Sequence, residues 1–394
     1  MMHYLIVLTV VMLSVAVSIP TGPAMCAAET SAAPDTGEGE GQTHRAAPIG
    51  SYGGIMNPDI SAIVDSWALL TDDRSVEERN TLFIKETELA FQSYLYPSIR
   101  GDFIAAMHNE AGSWHIHPEE AVVTFLDLPL DLQARAGRSL IRFGKLNAIH
   151  SHHWPFASEP LVLRNFLGEH SWFDDGVEVS WLVPNPWMLY VKTSLGTWSG
   201  AGSAEEHEDG GEAEEPRVHA GGIEWHGKVS TGRASIDVPF GALSNVTGGY
   251  SIAWDESGRT RLHGFDLSVT YRRPVSYRRV KWQSELFLAN NVEAREADPF
   301  GFYSMVVLTL NKYYECGARF DRSEYLEHAG DLSAAAAPRD YEWGLSGFLT
   351  YYFTHSLYLR VEYVHQVDWF DRDVSVVIAQ LVWGLGPHAH RLED

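Results

Sequence analysis

The chain has 394 residues, 45% of them hydrophobic, and carries a formal net charge of −23 with a pI near 5.1. So acidic a chain offers no basic face for nucleic acid, and its two cysteines, Cys26 and Cys316, exclude a disulfide framework and a cysteine-based zinc site. The length suits two globular domains or one large barrel.

Residues 1–28 read as a secretory signal peptide, with an apolar run followed by small residues at Ala24, Ala27 and Ala28. Met25 before Cys26 makes a poor lipidation signal, and the apolar run is short for a membrane anchor. Residues 29–54 are rich in Ala, Gly, Pro, Thr and Glu and read as a disordered linker. Residues 55–386 carry strand-like segments with no convincing amphipathic helix, and residues 387–394 form a tail. No later apolar run is long enough for a membrane helix, so any membrane crossing is made by strands.

The strand signal is a period of two. Val177, Val179 and Trp181 oppose Glu178 and Ser180; Phe265, Leu267, Val269 and Tyr271 oppose Asp266, Ser268 and Thr270; Leu357, Leu359, Val361 and Tyr363 oppose Arg360 and Glu362. A soluble sandwich gives the same alternation, but three features favour a transmembrane barrel. Connections alternate between short and long. The short ones are placed at 97–98, 129–131, 184–186, 230–232, 274–276, 311–312 and 354–355. The long ones are placed at 71–80, 110–113, 144–176, 201–216, 247–258, 290–299, 324–339 and 366–372. Aromatics such as Tyr94, Tyr96, Trp187, Tyr190, Tyr271, Tyr277, Tyr313 and Tyr314 sit beside the short turns, as an interfacial girdle does. The last apolar segment, residues 374–385, is suited to closing a barrel. The fold expected is therefore all-β: one antiparallel transmembrane barrel of about sixteen strands, with short periplasmic turns and long extracellular loops. A barrel of that size leaves an aqueous lumen.

Residues 144–176, rich in His, aromatics and Pro, form the third long loop, and a long ordered connection that a hairpin does not need is commonly functional. The segment Gln133-Ala134-Arg135-Ala136-Gly137-Arg138, followed by Phe143-Gly144-Lys145, resembles the strand and Phe-Gly turn before the inward loop of phosphate-selective porins. Trp154-Pro155-Phe156 with Asn165-Phe166-Leu167-Gly168 is similar to His-rich-loop proteins described as zinc-regulated outer-membrane receptors. The architectural likeness, shared with classical trimeric porins, covers residues 55–386; the motif likeness covers about residues 133–183. It implies a bacterial outer-membrane location, a third loop folded into the lumen, contact with outer-membrane lipid and a homotrimer. The chain is too short for an N-terminal plug inside a barrel of about 22 strands, which argues against active transport.

Arg135, Arg138, Arg142 and Lys145 on the way into the loop, Glu86 and Glu88 on an early strand, Glu178, and Arg360 with Glu362 on a late strand are the expected pore-lining charges. Opposed charges of this kind either tune small-ion flux or pair for solubility. His150, His152, His153 and His170, with Asp174 and Asp175 at the loop's end, are candidate metal ligands, because imidazole and carboxylate suit zinc or copper; the same histidines can serve as packed loop anchors. Residues 201–216 hold Glu205, Glu206, Glu208, Asp209, Glu212, Glu214 and Glu215 around His207, either a solvated acidic loop or a weak cation trap. No G-x-S-x-G, H-E-x-x-H or phosphate-binding glycine loop occurs, so no enzyme is expected, and no cofactor other than zinc. The function expected is passive diffusion of small hydrophilic solutes or ions. The alternative is a zinc-responsive or cation-capturing barrel.

Overall fold

Alternation decides the architecture, because a strand apolar on every second residue must give that face to lipid or to a core. The computed structural model describes residues 58–71, 73, 79–110, 113–168, 171–200, 222–223, 225–241, 243–273, 276–290, 298–324 and 339–386. The signal peptide, linker, acidic stretch 201–216 and C-terminal tail expected from sequence lie outside these residues, as does His170.

Sixteen strands form one closed antiparallel barrel, each hydrogen-bonded to its sequence neighbours, with the last paired to the first. In order they are β1 (Asp59–Thr71), β2 (Thr81–Tyr96), β3 (Ile99–Glu110), β4 (Ser113–Leu128), β5 (Leu132–Leu140), β6 (Phe173–Leu182), β7 (Tyr190–Trp198) and β8 (Val229–Phe240). β9 (Ser244–Asp255), β10 (Arg261–Arg272), β11 (Arg279–Asn290), β12 (Phe300–Thr309), β13 (Tyr314–Glu324), β14 (Tyr341–Thr354), β15 (Leu357–Val367) and β16 (Asp373–Leu385) complete it. β1 meets β16 from Ala62 opposite Leu385 to Thr71 opposite Val376, which leaves no edge.

The two faces differ as the alternation requires. Arg360 and Glu362 are buried in the interior, whereas Tyr363 is 48% exposed and Leu345 on the neighbouring strand is 51% exposed. Val177, Val179, Trp181, Phe265 and Leu267 likewise point outward. Tyr94, Tyr96, Trp187, Tyr190, Tyr271 and Tyr277 are all exposed near the short turns, the position of an interfacial girdle. This outer wall is suited to lipid, and no helix among the described residues is long and apolar enough to cross a membrane. Cys316 on β13 is a free, half-buried thiol.

Three connections differ from expectation. Of 110–113, placed among the long connections, only two residues separate β3 from β4. Residues 230–232 are not a turn but part of β8, and most of 247–258 is β9. Thr231 faces inward and its hydroxyl accepts a hydrogen bond from Trp198 Nε1 at 2.8 Å. Gly249 stays glycine because a Cβ there would run into the Asp266 and Arg233 side chains. Small polar residues and glycines thus mark crowded wall here rather than turns. The third loop also contains a short helix, α1 (Leu161–Leu167), where none was expected. It follows Pro160 and ends at Gly168 with φ 97°, and every residue except Arg164 is buried.

Candidate functional site

The β5–β6 connection crosses the lumen. Its base is closed by Asn147, whose Nδ2 donates to the carbonyls of Ile141 and Trp172 at 2.7 and 2.9 Å and whose Oδ1 accepts from Trp172 N–H at 2.7 Å. Gly144, at φ 64°, turns the chain inward where a Cβ would collide with Glu285. The next two N–H groups, of Lys145 and Leu146, donate to Glu285 at 2.8 and 3.0 Å, and the Tyr303 hydroxyl donates to the same carboxylate at 2.6 Å. Further on, the N–H groups of Ala157 and Ser158 donate to Glu362 at 2.6 and 2.9 Å. Arg164 and Asn165 donate to Glu342 at 3.0 and 2.7 Å, and Arg319 donates to the Ser158 carbonyl at 2.7 Å.

Apolar packing completes the clamp. Phe143, Leu146, Trp154, Phe156, Val162, Phe166 and Trp172 share one buried cluster with the wall residues Leu262, Phe287, Tyr303, Met305 and Phe348. Two glycines make room for it. A Cβ at Gly264 would lie 2.7 Å from Phe143, and one at Gly301 would lie 2.8 Å from Val162. The β10–β14 side of the lumen is therefore filled, and the loop is a fixed partition.

Cavities lie on both sides of the partition, and His150 and Trp154 line both. The one toward the short turns has a volume of about 900 Å³. Arg135, Arg142, Lys192, Arg279, Lys281 and Lys312 line it, against the carboxylates Asp102, Glu120 and Glu315. The one toward the long loops has about 320 Å³ and is lined by Lys85, Glu86, Glu88, Glu119, Glu159 and Asp321 among others.

The expected pore charges separate into three groups. Arg135 and Arg142 both donate to Glu178, at 3.0 and 3.1 Å, and Lys145 Nζ donates to Ser268 at 2.9 Å. Arg360 donates to Thr350 and Gln380, and Glu362 is occupied by the loop. Arg138, expected in the pore, is not there. It lies three residues beyond the inward Arg135 and hence on the opposite face, across from Asp175 at 3.5 Å and stacked on Phe173.

Among the expected metal ligands, His150 and His152 come together with wall carboxylates rather than with Asp174 or Asp175. Asp174 accepts from the Ser199 hydroxyl and from Gly200 N–H, and so fastens the loop's exit, while Asp175 is outward and paired with Arg138. Alternating faces separate these two aspartates, and neither is directed at the histidines. His153 lies beside His152, with ring centroids 4.1 Å apart and the rings tilted at 56°, and lines the larger cavity. His150 Nδ1 lies 3.2 Å from Glu119 and 3.5 Å from Glu88, and its Nε2 lies 2.9 Å from Glu120. His152 Nδ1 lies 2.9 Å from Glu88. Beside them His108 approaches Glu86 at 3.7 Å and His117 at 3.4 Å.

Burial opposes charge on both loop histidines. Around His150 the carboxylates of Glu88, Glu119 and Glu120 outweigh it and hold the imidazole well above its ordinary value. At His152 burial and the neighbouring His150 charge pull it down to about 4. Glu119, Glu120, His108 and His117 were not anticipated. Their signal is the run His115-Ile116-His117-Pro118-Glu119-Glu120. A β-bulge there, between Ile104 and Ala105 of the partner strand, turns both consecutive glutamates inward.

No family model matches the sequence. An "Uncharacterized protein" of Aquifex aeolicus (strain VF5) is 30% identical over 237 residues, which is 52% of this chain and 47% of the relative. The chain thus spans about half the length of that relative. Solved structures with the same fold include Pseudomonas putida OprB (TM-score 0.56, 10% identity, 84% of this chain and 94% of that one). The outer membrane channel DcaP of Acinetobacter baumannii matches with TM-score 0.52, 10% identity, 83% of this chain and 96% of that one. OmpT of Vibrio cholerae in its trimer form matches with TM-score 0.52, 9% identity, 83% of this chain and 98% of that one. The closed sixteen-strand barrel is the fold this chain shares with these outer-membrane proteins.

Proposed function

We propose that the chain is a bacterial outer-membrane channel through which small hydrophilic solutes or ions diffuse passively, with residues 144–176 setting the constriction. One observation carries this reading: a loop fixed across a closed barrel by wall carboxylates, with a cavity of about 900 Å³ beneath it. Fixed partitions exclude by size and field and need no catalytic group. The basic residues around that cavity, against few carboxylates, favour small anions on the turn side, in keeping with the phosphate-selective-porin likeness of residues 133–145. A trimer, a form in which OmpT of V. cholerae has been solved, is the assembly we infer.

Refolded protein in a planar bilayer is expected to give stable ohmic steps without added ligand, and a reversal potential displaced toward the anion equilibrium in a potassium chloride gradient. Absence of conductance from correctly folded protein would remove the channel reading. A cation-directed reversal potential would remove the anion preference alone.

A further inference from the structure

We propose that Glu88 is the centre of a divalent transition-metal site inside the barrel, with two adjoining positions. Glu86, Glu88 and His152 serve one, and Glu88, Glu119 and His150 the other. Within each trio the potential ligand atoms all lie within 4.8 Å of one another. Glu88 belongs to both trios and is placed to bridge. Its side chain is only 3% exposed, yet neither of its oxygens accepts a hydrogen bond, and Glu119 Oε2 accepts none either. The 2.9 Å approach of His152 Nδ1 to Glu88 is therefore too poorly aligned to count as one. Buried carboxylate oxygens that have imidazole neighbours but no aligned hydrogen bond are under-satisfied, and a metal ion would meet them more fully.

Other lumen carboxylates are met by guanidinium groups. Glu178 takes two guanidinium groups and Asp321 takes Arg319. Glu86, Glu88 and Glu119 instead have imidazoles as their ion-pair neighbours, and imidazole with carboxylate is a zinc-type donor set. Calcium and magnesium, which demand oxygen ligands, fit it poorly. Four carboxylates, Glu86, Glu88, Glu119 and Glu120, match the charge of two divalent cations.

Placement gives the site a consequence. The loop's backbone is held by Glu285 on β11, across the barrel, and by Glu362 on β15, which β16 and β1 separate from β2. Toward β2–β4 its contacts at His150 and His152 run through ionisable groups. Metal at Glu88 ties the loop to that wall too, and His150 lines both cavities, so the ion sits at the partition. Metal uptake is a property of the folded barrel and does not require that the pore conduct.

The test uses the mature chain refolded in detergent, stripped with a chelator and titrated with zinc chloride by calorimetry. Folding is followed by heat-modifiable gel mobility. Wild type is expected to bind zinc saturably, with an absorption-edge spectrum showing imidazole and oxygen in the first shell. Glu88→Gln is expected to weaken binding by about 100-fold. The His150→Ala/His152→Ala double variant reads the same site should Glu88→Gln fail to fold. No uptake by folded wild type, an all-oxygen first shell, or unchanged binding in the folded variants would each overturn the proposal. The last outcome would assign the zinc to other residues, such as His108, His117 and Glu119, whose potential ligand atoms also lie within 4.8 Å of one another.

Discussion

Glu362 accepts three hydrogen bonds from the inward loop, from the N–H groups of Ala157 and Ser158 and from the Ser158 hydroxyl. A carboxylate in that position acts as a cap for backbone that no strand pairs, at a place where water has been excluded. Replacing it with an apolar group leaves buried donors unpaired, at a cost of about 1–3 kcal/mol. Glu362→Leu is therefore expected to loosen the loop without opening the barrel. Limited proteolysis should then cut within residues 155–160 in the variant and not in wild type, while the heat-modifiable shift persists. Equal protection in both would show that the carboxylate does not hold the loop. Gly301→Leu acts on a second anchor of the loop, the packing of α1 on β12. Its added bulk meets Val162 and Phe166, and overpacking of this kind costs about 1–3 kcal/mol, readable as a lowered melting temperature in detergent.

At the scale of the element, the loop and α1 form the body that gives the lumen its shape. The strands were legible from sequence because a period of two is a local property: Leu359 and Arg360 point to opposite faces whatever strand lies beside them. The inward loop was legible as a long stretch of His, Trp and Pro that a hairpin does not require. α1 was not, because seven residues buried nearly all round show no polar stripe to set a helical period against. The partners of His150 were not legible either. Glu86 and Glu88 looked like ordinary lumen charges, and only a bulge, invisible to a parity argument, brings Glu119 and Glu120 in together. Residues 230–232 misled for a related reason, since Ser-Thr-Gly marks a crowded wall as readily as a turn. Replacing residues 145–171 with a short Gly/Ser linker is expected to leave sixteen strands and raise single-channel conductance several-fold. Unchanged conductance would place the constriction elsewhere.

The whole molecule divides into three solvents: lipid outside, a dry seam where the loop meets β10–β14, and water in what remains. Leu345 faces the first near the middle of β14. Arginine at a barrel's lipid-facing midplane costs about 2–4 kcal/mol, so Leu345→Arg is expected to lower refolding stability in bilayers by that amount. The inward substitution Gln133→Asn, in the wall of the larger cavity, should have a far smaller effect. The acidic chain as a whole and the basic cavity beneath the partition then pull in opposite directions on a passing ion. On the proposed channel reading the cavity outweighs the overall charge, because its charges line the path, whereas the overall charge is screened over about 10 Å at 0.1 M salt. Anion preference is then expected at 0.1 M salt and is expected to fade toward 1 M, where the screening length falls to about 3 Å. Lys281→Glu, which reverses one charge in the cavity wall, should move the reversal potential toward cations at low salt and barely at high salt. A reversal potential insensitive to Lys281→Glu at 0.1 M would mean that the field at the partition, set by Glu88 and its neighbours, governs selectivity instead.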